Sequence, residues 1–151
     1  MNYLLDTDTL IHLVRGLRAA LSATPARQER AGKARRIVAR CRSLQAQGDE
    51  LCVSAITVAE LEFGARGSNN YEVEAAAVQK ILAPFTLPPF DATTCAVEYG
   101  QIRHELAAAG TPIGAMDLLI AAHAKALDAV LVTHNLQHFR RVRGLKCESW
   151  L

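Results

Sequence analysis

The chain has 151 residues, of which half are hydrophobic and about a fifth charged, so it can bury a sizeable core as one soluble globular domain spanning residues 1–151. No stretch approaches the roughly 20 uninterrupted apolar residues that a membrane-spanning helix needs, and this argues against a membrane protein. The net charge of +2 names no partner by itself, and the four cysteines form no Cys-x-x-Cys pair, so they are expected to be free thiols.

The opening residues Met1–Asp6 carry no basic stretch and reach an acid too early for a secretory leader. The expected compartment is therefore the cytoplasm. Tyr3-Leu4-Leu5 reads as a short buried strand that ends at Asp6. Thr7, Asp8 and Thr9 are candidate caps for a helix through Leu10, Ile11, Leu13 and Val14, and Gly16 is expected to stop it. From Pro25 to Gly48 the recurrence of Ala31, Ala34, Ile37, Val38 and Cys41 predicts one long helix. That region is strongly basic: Arg18, Arg27, Arg30, Lys33, Arg35, Arg36, Arg40 and Arg42 stand against the single acid Glu29. Such asymmetry fits a polyanion passing a basic ridge, and equally a solvated helix face.

Leu51-Cys52-Val53 is the next strand, with Ser54 or Thr57 capping a helix from Val58 to about Ala65. A turn at Gly67–Asn70 leads into a helix from Tyr71 to Leu82. Phe85-Thr86-Leu87 reads as a short strand, confined to a sheet edge by Pro88-Pro89. A helix from Thr93 or Thr94 to Ala109 ends at Gly110, and another runs from Ala115 to Leu127. Val130-Leu131-Val132 is the most strand-like run, and Leu145–Glu148 is a weaker fifth. Strands alternating with helices predict an α/β fold with a central parallel sheet of four to five strands and helices on both faces.

In such sheets the working crevice lies beyond the carboxyl ends of the strands. Asp6 follows the first strand, and Thr133 and Asn135 follow Val130–Val132. Glu60 lies in the helix after the second strand, and Asp117 opens the helix before Val130. Four segments can thus bring oxygen ligands to one edge. Clustered carboxylates repel unless a cation joins them, and hard oxygen donors suit Mg²⁺ or Mn²⁺. Such an ion can activate a water and polarise a phosphodiester. Each acid also has a plainer reading. Asp6 can cap a helix, Glu60 can be a solvated helix acid, and Asp117 can complement a helix dipole.

A family resemblance decides among these. Leu4-Leu5-Asp6-Thr7-Asp8-Thr9-Leu10-Ile11 resembles the opening of PIN domains of the VapC toxin type. Ser54–Leu61, continuing to Phe63-Gly64-Ala65, is similar to their second motif. Pro112–Ala124, centred on Asp117, resembles the third, and Leu131–Asn135 with Phe139 and Val142–Leu145 resembles the fourth. The resemblance implies that Asp6, Glu60 and Asp117 form the acidic triad for the divalent ion. It implies an Mg²⁺-dependent endoribonuclease acting on RNA, often transfer RNA, paired with a VapB-type antitoxin and assembled through homodimers or a larger toxin–antitoxin complex.

The chain departs from that pattern in two places. Asn135 stands where many PIN domains carry a fourth acid, which favours one firm metal site. Asp8 stands where Asn is more usual; it either supplies charge or caps the helix. The basic segment 18–47 is not explained by the resemblance. Arg30, Lys33 and Arg36 are candidates for guiding RNA or gripping the antitoxin. Two alternatives remain open. One is a haloacid-dehalogenase-like phosphatase, with Asp6 as nucleophile and Asp8 as general acid. The other is a catalytically silent RNA-binding PIN relative. His134 and His138, four apart, lack a third ligand and read as loop polarity, while His123 on an apolar helix reads as a packed core residue.

Overall fold

The computed structural model describes residues 1–19 and 24–151. Arg18 of the basic segment lies outside the described side chains. Four short strands, β1 (Asn2–Leu5), β2 (Glu50–Val53), β3 (Val130–Val132) and β4 (Cys147–Glu148), form one parallel sheet in the order β2-β1-β3-β4. Among the described residues seven helices surround it: α1 (Thr7–Ala19), α2 (Pro25–Ala46), α3 (Ala55–Arg66), α4 (Tyr71–Leu82), α5 (Cys95–Ala108), α6 (Ala115–Ala126) and α7 (Leu136–Phe139).

Both faces of the sheet are covered, which is why its strands are continuously apolar rather than alternating. Tyr3, Leu5, Leu51, Val53, Val130 and Val132 point to one side, where they meet Leu10 and Leu13 of α1, Ile37 and Leu44 of α2, and Leu82 of α4. Leu4, Cys52 and Leu131 point to the other, against Ile102 and Leu106 of α5, Leu118 and Ile120 of α6, and Phe139 of α7. Trp150 joins the first cluster beside the Tyr3 ring and so ties down the C-terminal residues.

Three expectations need correction. Gly16 does not end α1. It lies inside the helix, where a Cβ would come 2.5 Å from Ala34 Cβ and 2.6 Å from the Arg30 carbonyl oxygen. The glycine is there because α1 and α2 touch backbone to backbone, a tertiary reason invisible in local propensity. Phe85–Leu87 is not a strand: Thr86 alone pairs with the β2 edge, accepting from Val53 N–H and donating to the Leu51 carbonyl. The helix after β2 begins at Ala55, three residues earlier than expected, because Ser54 Oγ accepts from Ile56 N–H at 3.0 Å and caps it. Gly48 and Gly110, by contrast, end their helices at positive φ (88° and 69°), as expected of left-handed terminators.

From β1 the chain passes to β2 on one side and later returns to β3 on the other. The reversal of strand order therefore falls between the carboxyl ends of β1 and β3. This is where α/β sheets open a crevice.

Gly16→Ala should lower the melting temperature, since overpacking a tight contact costs about 1–3 kcal/mol, or roughly 2–10 °C for a chain of this size. Gly100, inside α5 with nothing within 4 Å of its virtual Cβ, supplies the control. Gly100→Ala should instead raise the melting temperature, through a helix-propensity gain of about 0.5–1 kcal/mol. Equal shifts in thermal melts of the two variants would contradict the close α1–α2 contact.

Candidate active site

Asp6 and Thr133 flank the strand reversal directly. Asp6 is 4% exposed, its N–H bonded to the Val132 carbonyl across the β1–β3 gap at 3.0 Å. Its carboxylate accepts from Thr9 N–H at 2.8 Å, so it does cap α1 and sits at the positive end of that helix. The Thr133 hydroxyl also stabilises its charged form. These bonds do not offset the loss of water. Burial raises the Asp6 carboxyl above its ordinary range, and the like charge of Asp8 adds to the rise. Among the described residues no cation pairs with Asp6. An ionised carboxylate held here is an uncompensated buried charge.

From Thr133 the polar chain continues outward. Its Oγ1 accepts from Asn135 N–H at 3.0 Å. The Asn135 side-chain amide lies 2.8 Å from His138 Nδ1, and that same nitrogen lies 3.4 Å from Asp117 Oδ2. One ring nitrogen serves only one of them at a time. Carrying a proton, Nδ1 donates to Asp117; without it, Nδ1 accepts from Asn135. The structure thus links Asp6, Thr133, Asn135, His138 and Asp117 in one continuous run, with Asp8 exposed beside it on the first turn of α1.

Glu60 stands apart. It is half-buried on the second turn of α3, in the wall of a groove shared with Ile11, Val14 and Arg15 of α1. Thr57, one turn earlier, meets Thr7 hydroxyl to hydroxyl at 3.0 Å and ties α3 to the start of α1. No hydrogen bond or ion pair joins Glu60 to Asp6 or Asp117 among the described residues. Nor do any three His, Cys, Asp or Glu side chains there stand close enough to enclose an ion as placed.

The donor chemistry is nonetheless that of a hard cation: carboxylate, hydroxyl and amide oxygens with no thiol among them. All four cysteines are free, as expected, and lie elsewhere; burial pushes Cys41, Cys52 and Cys147 up to about 11. A buried carboxylate without a counter-charge beside an exposed second acid is the local feature that a divalent ion would relieve.

Sequence reasoning missed two histidines. His138 reads as loop polarity in the sequence, yet α7, a four-residue helix, aims it at Asp117. The signal was the Asn135–His138 spacing of one helical turn. His134 packs edge-on against His12, ring centroids 5.1 Å apart, and feels the charges of Asp6, Asp8 and Lys33. His123, by contrast, is wholly buried and bonded to Ser54 Oγ at 2.7 Å, a core residue as expected. The phosphatase alternative lacks its late acid: β3 runs into Thr133, His134 and Asn135.

A parallel sheet with this strand order and an acidic crevice at its reversal defines the class, and the PIN-domain family model matches residues 3–145. The chain belongs to the PIN-domain family. Within it the chain is similar to proteins named VapC ribonucleases. It is 33% identical to Ribonuclease VapC2 of Haemophilus influenzae over 151 residues, all of this chain and 99% of that one. It is 41% identical over 100 residues to the tRNA(fMet)-specific endonuclease VapC of Salmonella typhimurium, covering 66% of this chain and 75% of that protein. The crystal structure of DNA-bound VapBC from Salmonella typhimurium superposes with a TM-score of 0.82 at 32% identity, covering 100% of this chain and 99% of that one.

Because burial raises the Asp6 carboxyl, the folded chain holds that proton more tightly than the unfolded one. The stability linked to this group is full below the ordinary pKa of 3.8 and is lost as pH rises through the raised folded value. Asp6→Asn keeps the cap and removes the charge, so in EDTA at neutral pH it should melt above the unmodified protein. Added Mg²⁺ should then raise the melting temperature of the unmodified protein only. A metal-free Asp6→Asn protein that melts lower would contradict the uncompensated charge.

Proposed function

We propose that the chain is the toxin of a toxin–antitoxin pair, an endoribonuclease in which Asp6, Glu60 and Asp117 hold Mg²⁺ or Mn²⁺ and Asp8, Thr133 and Asn135 support them. Family membership makes the enzyme metal-dependent in general terms; the ion and its ligands are our assignment. The observation that carries it is the buried Asp6 carboxylate, capped and unneutralised, at the strand reversal.

A divalent ion bound there would polarise an RNA phosphodiester and lower the pKa of an attacking water. The chain's own contribution is placement. Thr9 N–H and the Thr133 hydroxyl fix the Asp6 carboxylate in one orientation, so it is the anchor of the set. Asp117, half-exposed on the first turn of α6, keeps room to turn toward Asp6, and His138 and Asn135 limit that turn. Glu60 sits on a longer side chain at the far wall. Asp8, exposed beside Asp6, adds negative charge that draws a cation inward and repels a bare phosphate.

The substrate is RNA, with transfer RNA the first candidate because a relative is named a tRNA(fMet)-specific endonuclease. The partner is a VapB-type antitoxin, since the similar crystal structures are VapBC complexes, and homodimers or a larger toxin–antitoxin assembly are the expected form. No helix among the described residues is long and apolar enough to cross a membrane, and we place the chain in the cytoplasm as a single domain.

Protein freed of any copurified partner should cut single-stranded RNA in Mg²⁺ or Mn²⁺ and stop when EDTA is added. Asp6→Asn, Glu60→Gln and Asp117→Asn should each bring cleavage to the level of the protein-free control while circular dichroism stays unchanged. Cleavage by Asp6→Asn equal to that of the unmodified protein would refute the assignment. His138→Ala should raise the Mn²⁺ concentration for half-maximal cleavage by roughly 10–100-fold, the usual loss when a group orienting a ligand is removed. An unchanged metal dependence would reduce His138 to a packing residue.

A further inference from the structure

The basic residues of α2 do not form one surface. At about 100° per residue, Lys33, Arg36 and Arg40 fall within roughly 60° of one another and make a stripe along the helix. Arg35 and Arg42 lie on the opposite side, about 180–200° away from Lys33. Between these sides Ala34, Ile37, Cys41 and Leu44 are buried. Arg30 lies at the turn whose carbonyl faces Gly16 of α1, off the centre of the stripe.

The stripe leads to the acidic crevice. Lys33 acts on the ring of His134, which also feels Asp6, Asp8 and His12. His134 Nδ1 lies 3.3 Å from Ser149 Oγ. Ser149 in turn shares an open groove with Arg36, Arg40, Glu148 and Trp150. The one acid in that groove, Glu148, accepts from Trp150 Nε1 at 2.6 Å. Arg36 and Arg40 are exposed, and neither guanidinium is in an ion pair among the described residues, whereas Lys33 has only a loose 3.7 Å contact with Glu29. Two free arginines line a groove whose Ser149 contacts His134, the histidine that feels the charges of Asp6 and Asp8; they are placed to neutralise successive phosphates, and a polyanion is the partner their charge fits.

We propose that Lys33, Arg36 and Arg40, with the groove along residues 148–150, form the track on which single-stranded RNA lies as it enters the acidic crevice, and that Arg35 and Arg42 take no part. The proposal rests on the ribonuclease reading, and it assigns Lys33, Arg36 and Arg40 of the basic segment to substrate and leaves Arg35 and Arg42 to solvent.

The test is binding of a fluorescein-labelled single-stranded RNA by anisotropy over a series of salt concentrations. The full chain carrying Asp6→Asn is used so that cleavage does not intervene. Two double variants carry the same charge change: Arg36→Glu with Arg40→Glu, and Arg35→Glu with Arg42→Glu. The first should weaken binding at least about tenfold at low salt and flatten the salt dependence by about 1.4, two contacts at ~0.7 each for a single strand. The second should change affinity less than about twofold. Equal losses in both would show a diffuse charge effect and overturn the track, as would no loss in either. If the first double binds RNA normally but escapes inhibition by the cognate antitoxin, the stripe is a protein interface and the proposal fails. Cleavage by the unmodified protein and its loss in Asp6→Asn, measured separately, report on the ribonuclease reading alone. Melting curves of both doubles exclude unfolding as the cause.

Discussion

The Asp6 carboxylate is buried at the junction of β1 and β3 and held by the first turn of α1. A charge in that position is costly, and the fold meets only part of the cost, through the Thr9 amide, the helix end and the Thr133 hydroxyl. The remainder is what a cation bound at the proposed site would offset. Most of the surrounding architecture serves to keep this one group in place. β1 must be central so that Asp6 is dry, β3 must lie beside it so that Thr133 reaches across, and α1 must begin at once so that its amides face the carboxylate.

The same arrangement explains how other elements bear on the site. Asp117 comes from the start of α6, yet it is reached from Asp6 only through Thr133, Asn135 and His138. The short helix α7 is what turns His138 back toward Asp117. Glu60 arrives from the other side, on a helix whose start is tied to α1 by the Thr7–Thr57 pair. Glu60 thus stands apart from Asp6 and Asp117 among the described residues. On the proposed assignment, bringing the three carboxylates together would cost free energy through their mutual repulsion, which a bound cation would offset.

Access to the crevice is asymmetric. Asp8 presents negative charge beside Asp6, which suits an ion but not a phosphate. The compensating positive charge is carried by α2, a helix that packs on α1 through Gly16 and Ala34. That close contact brings Lys33 within electrostatic reach of His134, and so brings the basic stripe to the edge of the acidic centre rather than to a remote surface. On the proposed track, substrate charge would be neutralised along the approach and metal charge at its end.

Much of this was legible in the residues alone. Apolar runs ending at Asp6 and Thr133 located the strands, and helical spacing located α2, α4, α5 and α6, because burial periodicity follows directly from backbone geometry. Motif order along the chain then singled out Asp6, Glu60 and Asp117. What the sequence left undecided were properties that depend on partners distant in the chain. Gly16 was read as a helix stop because its role depends on Ala34 and Arg30. Thr86 was read as part of a strand although only one residue of its run meets β2. His138 was read as loop polarity because its partner lies 21 residues away. The sequence thus determined most of the helices and strands and the position of Asp6 at the end of the first strand, since these follow from local pattern. Only the tertiary structure decided which side chains share the crevice and which face of α2 borders it, since these depend on how the helices pack.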